Sequence, residues 1–247
     1  MKYIKTFEFK ESDLEPTSSF KTHDVLNNKV WDGDVMLSDI KSDLTEIANE
    51  FWKELDIDIE LKDIYLTGSL ATYNYSKYSD FDLHLVVDFK ESKDPDLMKR
   101  YCDQFRLNWN TKHNITIKGF EVELYVQDIN EEHTANGLYS IMNEKWINIP
   151  SQKENTTDMN EVRHKAEGLM IQIDELEKDF INKENVDSLE DRIVELWKKI
   201  TKGRKAGLES GGEFSLENLV FKFLRRNEYL KTLSDLKIKN YDRKYTI

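Results

Sequence analysis

Residues 66–85 read LTGSLATYNYSKYSDFDLHL, and within them Asp80 and Asp82 are separated by Phe81 alone. The following residues, FDLHLVVDF (81–89), place Phe81, Leu83 and Leu85 at alternate positions, which predicts a strand. Successive side chains on a strand point to opposite faces, so the two carboxylates project together. Adjacent carboxylates repel one another in a dry setting but are stabilised by a divalent cation, and an all-oxygen ligand set suits magnesium. Upstream, the short predicted strand Ile64–Leu66 runs into a turn that opens with Gly68 and Ser69. A turn of this kind offers backbone N–H groups and a hydroxyl to phosphate, and glycine permits close backbone approach. The pattern predicts a site for metal and polyphosphate together. A further acid on a neighbouring strand would complete it. FEVELYV (120–126) alternates Phe120, Val122, Leu124 and Val126 with Glu121, Glu123 and Tyr125, which puts Glu121 and Glu123 on one polar face.

Gly68-Ser69, Ala71 and Ser79-Asp80-Phe81-Asp82-Leu83 resemble the signature of the DNA polymerase β-like nucleotidyltransferase superfamily. There, Gly-Ser is followed by Asp-x-Asp, and a third acid sits between hydrophobic residues on a later strand, matched here by Val122-Glu123-Leu124. The resemblance covers residues 64–126. It departs in two places. Tyr73 and Asn74 stand where a second glycine is common, and the third acid is Glu rather than Asp, one methylene longer. Glu121 remains an alternative for that third position.

The resemblance implies an α+β fold: a small mixed β-sheet nucleotidyltransferase core with flanking helices. It implies magnesium-dependent transfer of a nucleoside monophosphate from an NTP to an acceptor hydroxyl, with release of pyrophosphate. Asp80, Asp82 and Glu123 would be catalytic and would hold two magnesium ions, for which manganese can substitute; Gly68 and Ser69 would bind the β- and γ-phosphates. Other readings of the same residues are a synthase that joins two nucleotides into a second messenger, and a non-catalytic, antitoxin-like module that binds nucleotide or a partner.

The rest of the chain must position these groups. Ile40, Leu44, Ile47, Phe51 and Leu55 recur at helical steps over residues 36–55. A second helix is predicted to start at Pro95 behind Asp94 and to carry Leu97, Tyr101, Phe105 and Trp109. Residues 138–150 read as two short strands joined by a turn. After the polar stretch 151–160, apolar stripes run through Val162–Phe180 and Leu189–Ile200; GRKAGLESGGEF (203–214) reads as a glycine-rich loop, and Ser215 is the predicted cap of a last helix over 215–233. The chain is therefore expected to divide into a catalytic domain, 1–150, and an all-helical domain, 151–247.

Charge follows this division. The chain carries a net −12, yet residues 196–247 hold 13 Lys and Arg against 6 Asp and Glu. Lys202 and Arg204, in the middle of that basic segment, are candidate nucleotide-binding residues, and the segment could also hold an RNA acceptor. The 12 Phe, 11 Tyr and 5 Trp argue for a packed core, and only 9 Gly and 3 Pro argue against a turn-rich all-β fold. The single cysteine, Cys102, excludes an internal disulfide or a cysteine metal site and reads as a small core residue. No stretch has the length and apolarity of a membrane span, and MKYIKTFEFKESD has no signal-peptide pattern, so a cytoplasmic protein is expected.

Overall fold

Alternating apolar residues in 63–67, 81–87 and 120–128 need a surface on which to bury one face, and amphipathic helices supply it. The structure, a computed structural model, describes residues 20–133 and 135–246; the opening MKYIKTFEFKESD lies outside them. The chain forms two compact units, Lys21–Glu154 and, together with Phe20, residues 155–246. Among the described residues, no helix is long and apolar enough to cross a membrane.

The first unit contains the hairpin β1 (Trp31–Asp32) and β2 (Val35–Met36), helix α1 (Ser38–Leu55), β3 (Asp63–Thr67), β4 (Phe81–Val87), helix α2 (Pro95–Lys112), β5 (Thr116–Ile117), β6 (Phe120–Asp128), β7 (Leu138–Ser140) and β8 (Lys145–Asn148). Strands β3 to β8 form one mixed sheet of order β5-β6-β4-β3-β7-β8. β3 is antiparallel to β4 and β7, while β4 and β6 are parallel. That parallel pair requires a crossover, and α2 provides it. One sheet face buries Ile64, Leu66, Phe81, Leu83, Leu85 and Leu124 in a core shared with Ile40, Leu44, Phe51 and Leu55 of α1. Burying each such side chain contributes about 1.5–3 kcal/mol. The opposite face carries the intervening residues, Asp82 and His84 on β4 and Glu123, Tyr125 and Gln127 on β6.

Helix α2 starts as expected, with the Asp94 carboxylate accepting from the Leu97 N–H at 3.0 Å ahead of Pro95. Its buried stripe differs from the predicted one: Leu97 and Tyr101 are exposed, and the core side is Met98, Cys102, Phe105 and Trp109. A strict step of four advances about 40° around a 3.6-residue helix each time, so a row of such steps spirals off the buried face. Cys102 lies in the core, and burial pushes its thiol up to about 11.

The second unit consists of α3 (Met159–Ile181), α4 (Val186–Gly211), α5 (Leu216–Arg226) and α6 (Tyr229–Tyr245) around their own core, which includes Leu169, Ile173, Ile193, Leu219, Phe223 and Leu233. Two expectations are corrected here. Residues 203–211 are not a loop but the end of α4. Gly203, Gly207 and Gly211 share one face at steps of four, and that face receives the start of α5. A Cβ on Gly207 would lie 2.7 Å from Ser215 Oγ and 2.9 Å from Glu217 Cβ. The glycines thus mark close helix packing, and Ser215 makes no side-chain capping hydrogen bond. The last predicted helix is also two helices, broken where Glu228 adopts φ 64° and the Asn227 side chain donates to the Phe223 carbonyl at 2.9 Å.

These environments separate two glycines in helix interiors. Gly168 on α3 has nothing within 4 Å of an added Cβ. Gly168→Ala is expected to raise stability by about 1 kcal/mol through helix propensity, a rise of roughly 2–4 °C in melting temperature. Gly207→Ala is expected to lower it, because overpacking against Glu217 costs about 1–3 kcal/mol. Thermal melts of the two variants check both signs.

Candidate active site

Strand register brings the acids together. Asp80 precedes β4 directly, Asp82 lies on it, and the parallel pairing sets Asp82 opposite Glu123. One ligand oxygen from each of Asp80, Asp82 and Glu123 lies within 4.8 Å of the others, and all three residues are half-buried. Glu121 faces Thr116 of β5, is exposed and stands outside this group. Of the two acids left open by the sequence, the geometry therefore gathers Glu123. Three converging carboxylates, all hard oxygen donors, fit a divalent cation.

Gly68 is tied to this cluster by contact. It follows Thr67, the register partner of Asp82, and has φ 77° and ψ −163°. A Cβ there would fall 1.8 Å from Asp82 Oδ2 and 2.8 Å from its Cγ, so only glycine leaves the carboxylate its place. The turn Ser69–Ala71 is braced from below: Ser69 Oγ donates to Ser79 Oγ at 2.7 Å, and the buried Ser79 also accepts from the Ser76 N–H at 2.9 Å. Gly137, just before β7, packs against the same turn, since its Cβ would lie 1.9 Å from the Ala71 carbonyl oxygen. A glycine before a strand is visible in the sequence, but its partner is not.

A family model described as a nucleotidyltransferase domain matches residues 46–205, more than half of the chain, from α1 through the acid cluster into α4. The chain belongs to the nucleotidyltransferase domain family. As a nucleotidyltransferase it is a transferase of phosphorus-containing groups, and such a domain implies an NTP substrate. Comparisons with curated proteins and with solved structures gave no match.

In this nucleotidyltransferase Glu123 is held on two sides, by residues that motif reading did not single out. Among the described residues the edge of β6 beyond β5 has no strand neighbour, and Asn110 of α2 takes that place. Its Nδ2 donates to the Leu124 carbonyl at 3.1 Å and its Oδ1 accepts from the Leu124 N–H at 3.2 Å. On the sheet face, the Tyr125 hydroxyl donates to Glu123 Oε2 at 2.5 Å. Burial pushes the Tyr125 phenol far above its usual range, and the hydrogen bond to Glu123 adds to this, so it stays protonated as a donor. The Arg106 guanidinium sits over the Tyr125 ring at 4.7 Å, and His84 stacks on it at 4.8 Å. His84 is a hydrogen-bonded residue of the sheet, with Nδ1 2.7 Å from Gln127 Oε1; burial holds its imidazole below the usual range.

Lys202 and Arg204 lie on α4, in the helical unit. Lys202 is exposed, while Arg204 covers the Phe221 ring at 4.2 Å and donates from Nε to Asn218 Oδ1 at 3.3 Å. Two residues apart on a helix, they do not share a face. The charges that act on one another here are those around Lys222. Its desolvation lowers its pKa, Glu213 opposes this, and Arg226, Arg225 and Arg204 lower it further.

Proposed function

We propose that this nucleotidyltransferase moves a nucleoside monophosphate from an NTP to an acceptor hydroxyl with release of pyrophosphate. The observation that carries this reading is the convergence of Asp80, Asp82 and Glu123 to within 4.8 Å in a chain of this family. Asp80, Asp82 and Glu123 would hold two magnesium ions, or manganese in their place. When bound, such ions neutralise phosphate charge and stabilise both the entering and the leaving oxygen.

The chain's own residues would do the positioning. Gly68 keeps the turn close to the carboxylates; the Ser69 hydroxyl is engaged by Ser79 and the Ala71 and Thr72 N–H groups are bonded within the turn, so the N–H groups at its start would be the donors for the β- and γ-phosphates. Glu123, whose Oε2 accepts from Tyr125, would help to hold the ion on the acceptor side and so assist loss of the proton from the acceptor hydroxyl. The acceptor oxygen then bonds to the α-phosphorus while the bond to the β-phosphate oxygen breaks. We assign catalysis to the α/β domain, 1–150.

A recess of about 250 Å³ lies beside Glu123 and has room for a small hydroxyl-bearing acceptor. It is lined by Asn110, Thr111, His113, Asn114, Glu121 and Glu123, with no Lys or Arg to meet a phosphate backbone.

Incubation with α- or γ-labelled NTP, magnesium and either RNA or small polyhydroxylated acceptors tests the reading. Label is expected on the acceptor from the α-position only. Transfer of γ-label would identify a different phosphoryl chemistry, a dinucleotide formed without acceptor would identify a synthase, and nucleotide binding without transfer to any acceptor would point to a binding module.

A further inference from the structure

The third acid is a glutamate, which reaches one methylene further than aspartate and has one more rotor to immobilise. A carboxylate that must meet two others within 4.8 Å cannot be left to sample those rotamers. Tyr125 follows Glu123 by two on β6 and so shares its sheet face, and its hydroxyl reaches Glu123 Oε2 at 2.5 Å. The ring is itself confined. His84, its register partner on β4, stacks on it with an interplanar angle of 29°, and Arg106 covers it from α2. The His84 imidazole is bonded to Gln127, whose Nε2 lies 3.1 Å from His133 Nδ1, and His133 meets the Tyr65 ring edge-on at 5.4 Å. Ring contacts and hydrogen bonds thus confine the tyrosine whose hydroxyl ends on one oxygen of the third acid.

We infer that Tyr125 is a positioning residue: its hydroxyl pins Oε2 of Glu123, so that Oε1 is presented to the Asp80–Asp82 pair at the reach an aspartate would have. The inference rests on the metal-site reading above, and it assigns to Tyr125 no contact with substrate. A tyrosine present only to pack would serve equally well without its hydroxyl.

Titration of the full-length protein with Mn²⁺ alone, followed by electron paramagnetic resonance, separates these roles. Tyr125→Phe keeps the ring, its stack on His84 and its contact with Arg106. It is expected to weaken Mn²⁺ binding about tenfold, the usual loss when an outer partner of a metal ligand is removed. In a Glu123→Ala background, which leaves the phenol no side-chain oxygen at position 123, the same change is expected to have no further effect, because Tyr125 acts through the carboxylate. Glu123→Asp, which withdraws the carboxylate from the phenol and leaves Tyr125 in place, is expected to make the protein equally insensitive to loss of the hydroxyl. Melting curves of each variant report folding independently. A Tyr125→Phe protein with parental Mn²⁺ affinity, or an undiminished effect in the Glu123→Ala background, overturns the inference alone. A parent protein that binds no Mn²⁺ overturns the metal-site reading and the inference with it.

Discussion

Asp82→Asn is expected to reduce transfer of α-labelled nucleotide by about a thousandfold or more, with Asp80→Asn close behind. A carboxylate that helps to hold divalent ions supports several kcal/mol of transition-state charge stabilisation, and each 1.36 kcal/mol is tenfold in rate. Asparagine keeps the shape of the side chain and half-buried sites tolerate it, so the fold should survive. The paired signature is thermal. The rise in melting temperature that Mg²⁺ or Mn²⁺ produces in the parent protein should disappear in the variant. The double variant should be scarcely worse than either single one, since residues that act as a unit are not additive. A half-active Asp82→Asn protein would remove the acid cluster from the mechanism.

Gly68→Ala should be nearly as damaging, through a different cause. At φ 77° and ψ −163° a side chain is strained by about 1–3 kcal/mol, and the added carbon would stand 1.8 Å from Asp82 Oδ2. Either the turn retreats from β4 or the Asp82 carboxylate rotates out of the cluster. The expected result is a loss of transfer comparable with that of Asp82→Asn, together with a fall of several degrees in melting temperature. Gly33→Ala is the control. Gly33 also has a positive φ, 62°, but nothing lies within 4 Å of an added Cβ. It should cost about 1 kcal/mol of stability and leave transfer and Mn²⁺ binding intact. If both variants behaved alike, the contact with Asp82 would not be what requires glycine at position 68.

The local part of the site could be read from the chain without its fold. Strand alternation alone turns Asp80 and Asp82 to one side, and the spacing from Gly68-Ser69 to Asp82 already suggests a turn between paired strands. The helices α1 and α3 follow from periodicity in the same way, and the α+β character from the family resemblance. What depends on register could not be read. Glu121 and Glu123 are equivalent by alternation; the resemblance puts Glu123 forward with Glu121 as the alternative, and the parallel pairing of β6 with β4 sets Glu123 opposite Asp82. Tyr125 and Asn110 look like ordinary strand and helix residues until tertiary packing sets one on the Glu123 carboxylate and the other on the bare edge of β6. The glycines of α4 mislead for the same reason. Glycine loosens an isolated helix, but where another segment approaches as closely as Ser215 and Glu217 approach Gly207, its missing side chain is what lets the two meet. Local sterics and alternation are written in neighbouring residues. Register, edge capping and close approach are properties of pairs distant in sequence, and the folded chain alone brings those pairs together.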